Sequence, residues 1–316
     1  MCLMALALDA HRRFPLVLAA NRDEFFERPA ARLAWWTPEA GGPPVLSGRD
    51  LSAGGTWLGL TAQGRLALVT NVRRALSPDP QAPSRGGIVL RWLRGDQRPD
   101  LFWPSVALAG HQPFNLVAAD FREGLCFWAG SEQASPRRIE RGIVGLSNGA
   151  LDEPWPKVRR LKERVQLALD AAGTVDDLAS RLMAALADRQ VAPDADLPET
   201  GIGLERERWL SPAFIRSPDG RYGTRCSTLV IAERQHKHLV THVFERTFTA
   251  GPGLALLRRS TLLDWPPKYR LDTDTEPERS VQVSSVDEGH LAEHPAETEP
   301  TRKRRVRSLL RPADRL

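Results

Sequence analysis

The chain has 316 residues, is 41 % hydrophobic and carries a formal net charge of +5. That is enough apolar material for one large domain or two small ones, with no run near the ~18 apolar residues of a membrane-spanning helix, and the folded part is not basic enough to point to nucleic acid. The cysteines, Cys2, Cys126 and Cys226, are odd in number and far apart, which excludes a disulfide framework or a paired-cysteine metal site and suits a reducing cytoplasm.

Met1 is followed directly by Cys2, which opens an apolar run to Leu8. The run is too short for a secretory signal and has no basic residues before it. Removal of the initiator methionine, expected before so small a side chain, leaves a thiol and a free α-amino group on one carbon. Their ordinary pKa values, ~8.5 and ~7.7–8.0, both lie close to neutrality. An N-terminal amine that activates its own side chain is an established catalytic device. A buried strand that happens to begin with a small apolar residue fits the same letters.

Strands are predicted over 2–8 and 15–21, around a polar turn at 9–13. The tetrad Asn21-Arg22-Asp23-Glu24 closes the second of them. Antiparallel pairing returns that end beside Cys2, where Arg22 or Asp23 can bond the amine or favour the thiolate. A surface turn with a salt bridge is the alternative. Trp35-Trp36 and the Pro43-Pro44 loop read as a partly covered lid. Strands over 56–61 and 65–72 flank Ala62-Gln63-Gly64, a short glycine-containing connection. Asn71 lies at the end of the latter.

A short helix is predicted over 87–94; Gly86-Gly87 before it lacks the Lys-Ser or Lys-Thr of a phosphate loop. Strands over 114–120 and 125–129 flank 121–124, and Asn148 ends the apolar stretch 143–147. A helix over 153–172 has Pro154 near its start and Gly173 past its end, and Thr174 with Asp177 resembles a capping box that opens a helix over 175–188. Arg225 precedes an apolar strand, 227–232, that pairs with 239–244. His236, His238 and His242 lack a carboxylate or cysteine at ligand spacing, so solvated turn histidines explain them better than a metal site. From Asp272 onward aromatic residues cease and acidic, then basic, residues dominate; residues 272–316 read as a disordered tail and 1–271 as one folded domain. Paired hairpins with helices grouped outside them predict an α+β fold with antiparallel sheets.

An asparagine amide aimed at a developing oxyanion is a known catalytic device. Met1-Cys2, Asn21-Arg22-Asp23-Glu24, Gly48-Arg49-Asp50, Gly54-Gly55-Thr56-Trp57-Leu58-Gly59, Thr70-Asn71-Val72-Arg73, Gly145-Leu146-Ser147-Asn148, Trp155-Pro156-Lys157, Tyr222-Gly223-Thr224-Arg225 and Phe244-Glu245-Arg246-Thr247-Phe248 together resemble, in order over about residues 1–250, the family named for its Asn-Arg-Asp-Glu motif, the transport and Golgi organisation protein 2 family. The resemblance implies an N-terminal-nucleophile-like α-β-β-α sandwich, two antiparallel sheets between helical layers. It also implies links to secretion, Golgi organisation, lipid metabolism and haem handling in animal members.

A more distant resemblance is to cysteine N-terminal-nucleophile amidases of the choloylglycine hydrolase and acid ceramidase type. It implies Cys2 as nucleophile, Asp23 as the residue orienting the amine, Asn71 and Asn148 as oxyanion and amine contacts, and Arg225 as the residue holding the site together. Arg22 and Trp57 are then the substrate-contacting residues, although Arg22, adjacent to Asp23 and not several residues before it, departs from that pattern. The expected function is a cytoplasmic amidohydrolase acting on a linear amide or acyl bond, with a small-molecule ligand and no cofactor. The alternative is a non-catalytic protein that binds or carries haem, an acyl-CoA or lipid.

Overall fold

The computed structural model describes residues 2–39, 41–75, 79–251 and 255–267, together with the backbone of 283–286. In chain order the strands are β1 (Cys2–Leu8), β2 (Leu16–Phe25), β3 (Ala30–Trp36), β4 (Val45–Asp50), β5 (Leu58–Thr61) and β6 (Arg65–Asn71). Helices α1 (Gly86–Arg94) and α2 (Pro99–Ala107) follow, then β7 (Phe114–Asp120), β8 (Leu125–Gly130), β9 (Arg137–Arg138) and β10 (Gly142–Leu146). Helices α3 (Pro156–Ala171), α4 (Val175–Leu186) and α5 (Leu204–Leu210) lead to β11 (Tyr222–Gln235), β12 (His238–Thr247), β13 (Leu256–Leu263) and β14 (Val283–Val286).

Among the described residues these strands form two seven-stranded sheets, every pair antiparallel. The first has the order β10-β1-β2-β11-β12-β13-β14, and the second runs β3 to β9 in sequence order. Strand periodicity of two sorts the side chains into layers. On β1, Met4, Leu6 and Leu8 meet the second sheet, while Leu3, Ala5 and Ala7 meet α3 and α4. On β6, Leu66 and Leu68 face the first sheet, and Ala67 and Val69 face α1 and α2. Helix α3 supplies Val158, Leu161, Val165, Ala168 and Leu169, the three- and four-residue spacing of one helical face. The fold is therefore an α-β-β-α sandwich: the hairpin pattern predicts its antiparallel sheets, and the family resemblance implies its layers.

Several boundaries differ from the sequence reading, each for a reason in the pairing. β2 does not end at Asn21: it runs through the polar tetrad to Phe25, because β11 pairs with it as far as Tyr222↔Phe25. Trp35 and Trp36 belong to β3, an edge strand of the second sheet, so they are not a lid. Helix α3 starts at Pro156, with Trp155 as its N-cap, and not at residue 153. Thr174 caps α4 as expected, its Oγ1 accepting from the Asp177 N–H at 3.1 Å. His236 sits in the β11–β12 turn at φ 55°, and Arg259 Nη2 donates to His242 Nδ1 at 3.0 Å. The tail expected from residue 272 lies outside the described residues, apart from β14, whose backbone pairs with β13. Among the described residues no helix is long and apolar enough to cross a membrane.

Candidate functional site

The site forms where three strands of the first sheet end side by side. Cys2 is the cross-strand partner of Arg22, and Arg22 in turn is the partner of Cys226 on β11. By strand alternation Cys2 and Arg22 share the face of Met4 and Ala20, toward the second sheet. Asn21 and Asp23 share the face of Ala19, toward the helices. One short stretch of β2 therefore serves both sides of the sheet. Asn21 is structural: its amide donates to the Leu186 and Ala213 carbonyls, both at 2.8 Å, tying the end of α4 and the loop after α5 to β2.

Cys2 opens into a cavity of about 430 Å³, also lined by Arg22, Trp57, Asn71, Arg85 and Asp50. Cys2 is 8 % exposed. Burial pushes its pKa up. The amino terminus of the chain, the Arg22 guanidinium and the Asp23 N–H pull it back, while the Asp23 carboxylate adds to the rise. Arg22 lies 4.5 Å from the Trp57 ring centroid in a cation–π stack. That stack depends on a glycine: a Cβ at Gly48 would meet Trp57 Cη2 at 2.2 Å, so no other residue lets the indole lie against β4.

Behind the thiol lies a buried cluster of charges. Asp23 is 1 % exposed, and its Oδ1 accepts from the Thr224 hydroxyl at 2.7 Å. Burial raises its pKa, against the amino terminus, Lys157, the Thr224 hydroxyl and Arg73, all of which favour the carboxylate. The Tyr222 hydroxyl donates to the Asp23 carbonyl at 3.0 Å. Lys157, in the first turn of α3, is 2 % exposed and donates to the Leu210 carbonyl at 2.9 Å. Burial and the nearby Arg73 bring its pKa down to about 7, against the opposing pull of Asp23, Cys2 and Glu207. Arg73 pairs with Glu207 at 2.5 Å and stacks 4.7 Å from the Trp155 ring. A buried ion pair of this kind typically costs about 3–5 kcal/mol to break by removing one partner.

The two asparagines form a unit. Asn148 Nδ2 donates to both Asn71 Oδ1 and the Asn71 carbonyl, each at 3.0 Å. Ser147 Oγ donates to the Cys2 carbonyl at 3.0 Å and also lies 3.1 Å from Asn148 Oδ1. With Asn71 Oδ1 taken, its Nδ2 has no hydrogen-bond partner among the described residues, and Asn71 lines the Cys2 cavity. Asn148 lines a neighbouring cavity of about 570 Å³ that also touches Arg73 and Trp155 and contains no cysteine.

Arg225 occupies the bulge between Thr224 and Cys226, and Nη1 donates to the Phe25 and Arg28 carbonyls at 2.6 and 2.8 Å. It does not line the cavity but pins the turn that follows the tetrad. The structure thus brings Cys2, Arg22, Asp23, Asn71, Asn148 and Trp57 into one neighbourhood and sets Arg225 beside it. Sequence reasoning included Arg73 and Lys157 in the family motifs without giving them a role, and did not single out Arg85 or Glu207. Lys157 had a signal, a lysine one residue past Trp155-Pro156 at a helix start; Glu207 sits among charged residues on α5 and had none.

Three kinds of likeness bear on this arrangement. The family model described as Transport and Golgi organisation 2 matches residues 1–250. The transport and Golgi organization protein 2 homologue of Bos taurus is 32 % identical over 257 residues, covering 74 % of this chain and 89 % of the bovine protein. The Homo sapiens homologue is 32 % identical over 256 residues, and the Drosophila melanogaster protein 26 % over 283. Among solved structures, a Caenorhabditis elegans N-acylethanolamine-hydrolyzing acid amidase orthologue overlaps with a TM-score of 0.40 at 8 % identity, covering 73 % of this chain and 92 % of that one. A mutant conjugated bile acid hydrolase from Clostridium perfringens overlaps at 0.38 and 8 %, covering 74 % and 89 %. With the strand-end motifs, the sandwich and the family match coinciding over residues 1–250, the chain belongs to the Transport and Golgi organisation 2 family.

Proposed function

We propose that this protein is a cytoplasmic amidohydrolase whose nucleophile is the thiol of an N-terminal Cys2. The observation that carries the reading is the placement of Cys2 in a polar cavity, opposite Arg22 on the neighbouring strand and sharing that cavity's lining with Asp23 and Asn71. Once Met1 is removed, the α-amino group of Cys2 takes the thiol proton. The thiolate attacks the amide carbonyl, forming a C–S bond and a tetrahedral oxyanion. Asn71 Nδ2 is the donor for that oxyanion, and Asn148 acts through Asn71 by holding its amide in place. Collapse breaks the C–N bond, the leaving amine accepts the proton from the α-ammonium, and water releases the thioester with the amine again serving as base. Asp23 keeps the amine oriented, and Lys157 and Arg73 favour Asp23 in its charged form.

The test is the intact mass of purified protein before and after incubation with an activated short-chain acyl ester. The expected result is loss of Met1 in the bulk of the molecules and a single acyl adduct that disappears in Cys2→Ala. Retention of Met1 in all molecules would sink the mechanism. Burial, which pushes the Cys2 thiol pKa up, also suits a second reading, a non-catalytic carrier of haem or an acyl-CoA. That reading requires ligand affinity indifferent to Met1 and, for haem, a visible absorption band that shifts when an axial ligand is replaced.

A further inference from the structure

The Cys2 cavity contains three arginines whose partners are unequal. Arg28 is neutralised: Nε and Nη2 both donate to Asp50 Oδ2, at 2.9 and 2.7 Å. Arg22 is 6 % exposed, yet its Nη1 is buried with no hydrogen-bond partner, and Glu24 Oε2 stands 3.7 Å from Nη2, beyond hydrogen-bond reach. Arg85, at the N-cap of α1, makes one long bond, from Nη1 to the Pro113 carbonyl at 3.3 Å, and has no ion pair among the described residues. Arg85 lines the same cavity as Cys2 and Glu24.

A buried guanidinium N–H without an acceptor costs on the order of 1–3 kcal/mol, and more for a charged group. Here one such group, Arg22 Nη1 from the first sheet, shares a cavity with the half-buried Arg85, which comes from the layer behind the second sheet and makes one long bond. Trp57 fixes Arg22 in place, and Gly55 against Gly86 fixes the turn that carries Arg85: a Cβ on Gly55 would meet the Gly86 carbonyl carbon at 2.5 Å. The Cys2 thiolate alone cannot satisfy both. A planar carboxylate can, because it accepts two parallel bonds from guanidinium forks. The apolar part of the lining is Trp57, Val69, Pro80, Ala82 and Pro83 in a cavity of about 430 Å³, which suits a small acyl group.

Resting on the hydrolase reading above, we propose that the substrate is a short-chain N-acyl compound with a carboxylate beside the scissile amide, as in an N-acylated amino acid, and that Arg22 Nη1 and Arg85 hold this carboxylate. Arg22 and Arg85 then decide specificity: they reject the neutral amide because it leaves both cations unpaired.

The test is calorimetric binding to full-length Cys2→Ala protein, in which neither the thiolate nor turnover contributes. The probes are N-hexanoylglycine and its neutral counterpart N-hexanoylglycinamide. The carboxylate is expected to bind at least about tenfold more tightly, the gap closing in Arg85→Gln and partly returning in Arg85→Lys. Arg85 is half-buried on a turn, so its variants should fold; Arg22→Gln serves as the second probe, with its melting temperature checked. Equal affinities for the two compounds, a preference that survives both glutamine substitutions, or no binding of either compound would overturn the proposal. Hydrolysis by the unsubstituted protein is measured separately. Carboxylate preference without hydrolysis breaks the hydrolase reading and leaves the anion site standing, whereas hydrolysis without preference does the reverse.

Discussion

The two sheets are built in opposite ways, and the site belongs to one of them. The second sheet is a meander, β3 to β9 in chain order, so each strand pairs with its neighbour in sequence. Its outer face against α1 and α2 is mainly apolar, with Phe102 and Phe127 edge to face on Trp92 and Phe114 on Trp103. The first sheet joins β1 and β2 to β10 and β11, elements far apart in the chain, as in the Arg225 bond to the Phe25 carbonyl 200 residues away. Arg22, Asp23 and Glu245 are buried on it, with Lys157 packed behind. Local pairing yields a mainly apolar scaffold here, whose buried Arg65–Asp120 pair joins the neighbouring strands β6 and β7. Distant pairing is what brings charges together that no short segment could hold.

If that division is right, substitutions in the first sheet should move chemistry and those in the second should move stability. The largest expected effect is Asp23→Asn, which keeps the shape beside Thr224 but removes the charge on the amine. Turnover of an amide substrate should fall on the order of 10³-fold or more with the melting temperature little changed. A collapse of folding instead would erase the distinction. Phe102→Ala, beneath the second sheet, should cost about 3–5 kcal/mol in denaturant unfolding while Cys2 acylation by the folded fraction stays near normal. Asn148→Ala frees the Asn71 amide to turn and should lower kcat about 10²-fold with a much smaller change in KM. A pure KM effect would show that Asn71 does not meet the oxyanion.

The smallest effect concerns pH. Glu245 is fully buried, accepts from the Leu33 N–H at 2.7 Å, and is pushed up by burial to about 7 from its ordinary 4.5. Its protonated form is thus favoured by folding. The stabilisation is complete below pH 4.5 and is lost as pH rises through about 7, by up to about 3 kcal/mol. Glu245→Gln should flatten thermal stability between those values, and an unchanged pH slope would show that Glu245 ionises freely in the fold.

Much of this was legible in the letters. The strand alternation of β1 and β2, the hairpins of the second sheet and the Thr174 cap are local, set by side-chain period and by bonds across a few residues. Cys2 beside the Asn-Arg-Asp-Glu tetrad followed from antiparallel pairing alone. The tetrad's true position, inside β2 and not at its end, was hidden because the strand that extends it lies 200 residues downstream. Helix α2 was hidden because proline stands both at its start and within it, at Pro104.

The sequence by itself determined the layered antiparallel fold, the family and the neighbourhood of Cys2, because each rests on periodicity or on a run of matched letters. Only the tertiary structure decided the division of labour around the thiol. It placed Asn148 behind Asn71, put Lys157 and the Arg73–Glu207 pair beneath Asp23, and left Arg22 and Arg85 with donors to spare. The reason is physical: whether a charged side chain is paired or left wanting depends on every group that burial brings within a few ångströms, and those groups come from all parts of the chain.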